Sequence, residues 1–161
     1  MEECVDMLRE ELEGLGLKTE LLLEYDERLL MSQAHPLALA GHIEPGDLLP
    51  YIEITHGDGS ASGHREFKAA DSPPANRIYI FERGTQMGLL HENSDTYMWV
   101  SPMPKQTLER YGLVQRSSAG RPRKMKDLLV YQMEHRKNRS EKAFIEMLKG
   151  TRDEIMTPAK L

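Results

Sequence analysis

Three residues within THGDGSASGHREFKAAD, residues 55–71, could do hydrolytic chemistry together: Asp58, Glu66 and Lys68. Two carboxylates can share a Mg²⁺ ion while a lysine beside them orients or activates an attacking water. On a strand, residues 66 and 68 share a face, as that chemistry requires. The glycines around them do not build a phosphate cradle. A Walker-type loop ends in Gly-Lys-Ser/Thr, whereas Gly63 is followed by His64 and Arg65. A dinucleotide fingerprint needs glycine where Ser62 stands, and a serine-hydrolase elbow needs serine where GSASG has Ala61.

The carboxylate–lysine set resembles the metal centre of PD-(D/E)XK nucleases, which would imply Mg²⁺ and phosphodiester cleavage. It departs from that pattern in two places. Asp58 lies in a glycine-rich turn, and only eight residues, two of them proline, separate Lys68 from the next strand-like run. Those nucleases normally insert a helix there. A plain half-buried strand explains the same residues, with His64, Glu66 and Lys68 toward water and Phe67 and Ala69 toward the core. The preferred expectation is therefore no catalytic residue, no metal and no cofactor, with Mg²⁺ required only under the nuclease alternative. His56, Asp58 and His64 could also meet across a turn and hold a metal, but no Cys or His pair among the six histidines and one cysteine has zinc-finger spacing.

The second constellation is cationic. AGRPRKMKD, residues 119–127, carries Arg121, Arg123, Lys124 and Lys126; HRKNRSEK, residues 135–142, adds Arg136, Lys137 and Arg139. Such residues bind phosphates by charge, with little reading of bases. The Gly-Arg-Pro core resembles an AT-hook, which would imply minor-groove contact; the arginine that usually precedes the glycine is absent. The plainer alternative is a hinge followed by a helix start, with the second cluster as a solvated helix face.

Charge is distributed unevenly. Residues 1–100 hold 7 Lys and Arg against 19 Asp and Glu, whereas residues 101–161 hold 14 against 7, within an overall charge of −5. That layout points to a polyanionic partner or to an acidic protein surface, including that of a second copy. The favoured reading is a non-enzymatic nucleic-acid-associated protein. Its alternative is a self-assembling adaptor of phage or viral type, a homo-oligomer whose basic arm docks on a neighbour's acidic body. With a single cysteine, Cys4, no intrachain disulfide can form, and no apolar run is long enough for a bilayer. A soluble cytoplasmic protein with no membrane partner is expected.

These residues need elements to position them. Val5, Leu8, Leu12 and Leu15 predict an amphipathic helix ended by Gly14 and Gly16. LKTELLLEYDERLLMSQ reads as a strand pair, Pro45-Gly46 as a type II turn and Arg83-Gly84 as a hairpin connection. PYIEIT, HREFKAA, RIYIFE, QMGLL and TYMWV read as strands of a meander. PKQTLERYG reads as a short helix closed by Gly112. Met125, Leu128, Leu129 and Met133 suggest a helix, and Asn138 with Glu141 a capping box opening another. The expected fold is α+β: an N-terminal helix, an antiparallel five- to six-stranded meander and a C-terminal basic helical arm. Its parts are an acidic body (1–114), a basic hinge (115–124) and the arm (125–161).

Overall fold

The computed structural model describes residues 9–57, 76–119 and 124–156. Asp58, Glu66, Lys68, His64, Cys4, Arg121 and Arg123 lie outside the described residues, as does the HREFKAA run. The chain divides into two compact units, one made of Met1–Tyr25 with Lys124–Leu161 and the other of Asp26–Arg123.

The first unit begins with helical residues 9–14 (α1). Gly16, at φ 75°, turns the chain out of that helix in the left-handed region that glycine enters without strain. Strand β1 (Leu17–Asp26) follows, and it pairs with β7 (Lys124–Gln132) as a two-stranded sheet. The Met133 amide donates to the Gly16 carbonyl at 2.9 Å, while Lys126 lies 3.6 Å from Glu24. The end of one strand thus faces the start of the other, and the pair is antiparallel. Helix α4 (Arg139–Met156) is tied to β1 by Lys149–Glu20 at 2.8 Å. Asn138 and Glu141 form the expected capping box, each side chain accepting the other's backbone N–H, at 3.0 and 2.8 Å.

Over Lys124–Gln132 the chain is therefore a strand and not the helix that Met125, Leu128 and Leu129 suggest. Their three-and-four spacing fits a helical stripe, but pairing with β1 decides the outcome, as tertiary context often does for short apolar runs. The helical part of the C-terminal region starts at Arg139.

The second unit is a five-stranded sheet in the order β4-β3-β5-β2-β6, formed by β2 (Arg28–Ser32), β3 (Ile52–His56), β4 (Arg77–Ile80), β5 (Thr96–Val100) and β6 (Leu113–Arg116). The α+β class and the five-stranded sheet stand, but the strands do not form a meander. β3 is parallel to both β4 and β5, whereas β2 is antiparallel to β5 and β6. The expected pair 17–33 is two strands in different sheets.

Helix α2 (Arg83–Glu92) connects β4 to β5, and α3 (Lys105–Tyr111) connects β5 to β6. α2 replaces two sequence expectations, the Arg83-Gly84 hairpin and the QMGLL strand. The physical reason is that β4 and β5 run parallel on either side of β3, and parallel strands need a crossover that a two-residue turn cannot provide. Glu82 starts α2 by accepting from the Gly84 and Thr85 amides. α3 is as expected: Pro104 precedes it, and Gly112 at φ 61° closes it. Pro45-Gly46 opens a 3-10 turn, Pro45–Leu48, rather than a type II turn. Glu44 and Asp47 cap it reciprocally, and Gly46 has no positive φ.

β2 is buried on both faces. Leu30 joins Ile54, Met87, Leu90 and Met98 on one side, while Leu29 and Met31 join Ile43, Leu48 and Tyr97 on the other. A strand covered twice reads as a continuous apolar run rather than an alternation. His35, in the turn after β2, is only 3% exposed, so it is not a solvated turn histidine. Its Nδ1 accepts from the Leu37 amide at 3.0 Å and its ring lies 4.4 Å from that of Tyr51. No described helix is long and apolar enough to cross a membrane.

Candidate functional site

In an open sheet with parallel strands, ligands favour the carboxyl ends of neighbouring strands whose connections diverge. β3 leads to β4 on one side of itself, and β5 leads through α3 to β6 on the other side. The divergence lies between the carboxyl ends of β3 and β5. His56 and Gly57 stand at the first end and Ser101 to Met103 beyond the second.

The second unit builds this edge firmly. Gln86, fully buried on the first turns of α2, donates its side-chain amide to the Ile80 carbonyl at 2.7 Å and lies 3.2 Å from Nδ1 of His56. The remaining Gln86 oxygen, Oε1, is buried with no hydrogen-bond partner among the described residues. A buried acceptor left open is uncommon, because burial without a partner costs free energy. Across the divergence, Gln115 holds the segment after β5: its amide donates to the Ser101 carbonyl at 2.8 Å and its oxygen accepts from Met103 N–H at 2.9 Å.

The start of α2 reaches the same edge. The Glu82 carboxylate accepts from Gly84 N–H at 2.6 Å, from Thr85 N–H and from the Thr85 hydroxyl at 2.7 Å. Those donors, the Thr85 hydroxyl foremost, hold the Glu82 carboxyl below its ordinary range. An internal anion thus occupies the positive end of the helix. The Phe81 ring lies over Gly57, in the space a side chain at 57 would fill. This edge offers a histidine, an amide oxygen, a hydroxyl and an aromatic ring. It has the polar variety to orient a small molecule.

The residues expected from sequence fall elsewhere. Lys124 and Lys126 lie on β7, with Lys126 paired to Glu24. Arg136 and Lys137 lie between β7 and α4, and Arg139 is the first residue of α4. Lys137 places Nζ 3.7 Å from the Tyr131 ring centroid. The structure thus brings Arg136, Lys137 and Arg139 together but spreads Lys124 and Lys126 along a strand. Among the described residues no three His, Cys, Asp or Glu side chains could hold a metal ion. The sequence reading missed Gln86 and Gln115, whose buried amides look like ordinary polar residues until their elements are known.

No protein-family model matches the chain, and no curated protein matches it. Solved structures do. The regulatory domain of MetR, a LysR family regulator from N. meningitidis, has a TM-score of 0.55 at 15% identity, covering 84% of this chain and 64% of that one. HinK, a LysR family transcriptional regulator from Pseudomonas aeruginosa, has a TM-score of 0.57 at 13% identity, covering 86% and 49%. The effector binding domain of QuiR, solved with shikimate, has a TM-score of 0.56 at 18% identity, covering 88% and 68%. The chain thus spans about two thirds of the regulatory domains and half of HinK. At these identities the likeness is one of fold: this chain has the fold of LysR regulatory domains.

Proposed function

We propose that the chain is a ligand-sensing part of a transcription regulator, with no catalytic role of its own. The observation that carries the reading is the fold shared with effector-binding domains, one of which was solved with shikimate. The edge formed by His56, Thr85 and Gln86 supports a ligand of related chemistry, a small hydroxylated organic acid. Its hydroxyl would meet the exposed Thr85 hydroxyl, and its ring would rest on Phe81.

The test is thermal unfolding with a panel of such acids, shikimate included, followed by calorimetry on any that stabilise. One acid should raise the midpoint with increasing concentration, by mass action on the folded state. His56→Leu should weaken that response at least tenfold. A panel without effect, or binding unchanged in His56→Leu, overturns the reading.

Direct contact with nucleic acid is the second reading, favoured by Arg136 and Arg139, which are exposed and have no ion-pair partner among the described residues. A magnitude weighs against a large phosphate-binding face. Residues 133–142 hold four cations and two carboxylates, a net +2 with histidine neutral. Duplex affinity that falls steeply with added salt, and falls further in Arg136→Ala/Arg139→Ala, would support direct contact. Salt-independent or absent binding removes it.

A further inference from the structure

The first unit contains an open groove of about 220 Å³, lined by none of the residues used above for ligand sensing. Leu129, Val130 and Tyr131 of β7 line it together with Phe144 and Ile145 of α4, and the polar part of the lining is Lys137, His135 and Glu141. The floor is apolar, and two of its side chains are unusually open: Phe144 is 54% exposed and Val130 44%. An aromatic ring this exposed beside a shaped apolar surface marks a binding surface more often than an isolated exposed residue does.

Lys137 supplies the polar handle. Its ammonium lies 3.7 Å from the Tyr131 ring centroid and has no ion-pair partner among the described residues. Two acids that feel its charge, Glu141 and Glu20, each have a closer partner of their own. Glu141 accepts from Asn138 N–H at 2.8 Å and lies 2.9 Å from His135 Nε2, and Glu20 pairs with Lys149 at 2.8 Å. A cation over a ring gains less from the contact than a charge-assisted hydrogen bond to an anion gives when partly desolvated. An anion arriving in the groove would therefore draw Lys137 off the Tyr131 face and free that face for stacking.

We propose that this groove is a second ligand site, taking a small aromatic monoanion whose ring lies on Tyr131 and Phe144 and whose carboxylate meets Lys137. Charge complementarity decides the occupant. A local net charge of +2 suits one carboxylate rather than a polyanionic strand, whose successive phosphates need a longer row of cations. The volume decides the size, since it holds a single ring with a short side chain. The site is independent of the ligand-sensing edge, which lies in the other unit.

Phenylacetate is the probe, titrated against the full chain and followed by ligand-observed NMR, with 2-phenylethanol as the uncharged match. Phenylacetate should bind with a millimolar or tighter constant, and 2-phenylethanol at least tenfold more weakly. Lys137→Met keeps the stem and removes the charge, and it should reduce phenylacetate binding at least tenfold. Phe144→Ala should weaken both compounds, whereas His56→Leu should leave both unchanged. Thermal unfolding of each variant reports its folding separately. Equal binding of the two compounds, or phenylacetate binding that survives Lys137→Met in a folded variant, overturns the proposal. Phenylacetate binding lost only in His56→Leu assigns the acid to the other unit and also overturns it.

Discussion

The side-chain amide of Gln86 lies 3.2 Å from Nδ1 of His56, joining a helix to the end of a strand thirty positions earlier in the chain. The same amide donates to the Ile80 carbonyl, so one side chain links β3, β4 and α2. Gln86→Leu would keep the volume but remove the hydrogen bonds to that part-buried carbonyl and to the imidazole. We expect a loss of about 1–3 kcal/mol. Urea unfolding followed by the fluorescence of Trp99, the single tryptophan and a residue of β5, measures it.

His35 makes the second unit sensitive to acid. Burial holds its imidazole below the ordinary value of 6.5, with Asp95 partly opposing the shift. The folded state therefore favours the neutral ring. Its contribution is complete above pH 6.5 and is lost as the pH falls from there through the lower folded value. In His35→Asn, which retains an acceptor for the Leu37 amide, the stability curve should be flatter across that window. Chemical unfolding at a series of pH values gives both slopes, and equal slopes would remove His35 as the source.

Asn138 carries the start of α4. Asn138→Ala removes the acceptor for the Glu141 amide and should cost about 1 kcal/mol. Glu141 contributes in the same pH sense as His35, in a more acidic window. His135 and the Asn138 amide hold its carboxyl below the usual 4.5, so its support is present above that value and fades as the pH falls below it. Circular dichroism at 222 nm through a thermal ramp, at neutral pH and at acid pH, tests both statements.

Gly112 closes α3 at φ 61°, and His91 lies against the hydrogen side of its Cα. Gly112→Ala would add a side chain in a left-handed position and press it on the imidazole. The expected loss is about 1–2 kcal/mol, whereas Gly88→Ala, inside α2 with no heavy atom within 4 Å, should gain about 0.5–1 kcal/mol. Urea midpoints of the two variants provide the comparison.

Several elements were legible because their ends carry local chemistry. Pro104 and Gly112 bracket α3, Gly16 ends α1, and Asn138 with Glu141 opens α4. α2 was hidden because RGTQMGLLHE has two glycines and its capping side chain is a glutamate outside the helix. β7 was misread because Met125, Leu128 and Leu129 satisfy a helical spacing, while the partner that makes them a strand lies a hundred residues away. The parallel order of β3, β4 and β5 has no local signature at all, since it is set by crossovers. The edge at the carboxyl end of β3 was illegible for the same reason: His56 and Gln86 meet only after the sheet is ordered. Lys137 was visible as a cation, but its stacking on Tyr131 was not.

The paired strands β1 and β7 flank nearly the whole second unit in sequence, and Glu24 meets Lys126 across them. Everything between those residues is therefore a closed loop whose ends must be brought together before the first unit can exist. Closing a loop of that length costs entropy that grows only as the logarithm of its size, and a folded interior shortens the search. During synthesis the second unit emerges whole before β7 has been made. The connectivity therefore lets the inserted unit fold during synthesis, whereas the first unit can close only once β7 has been made.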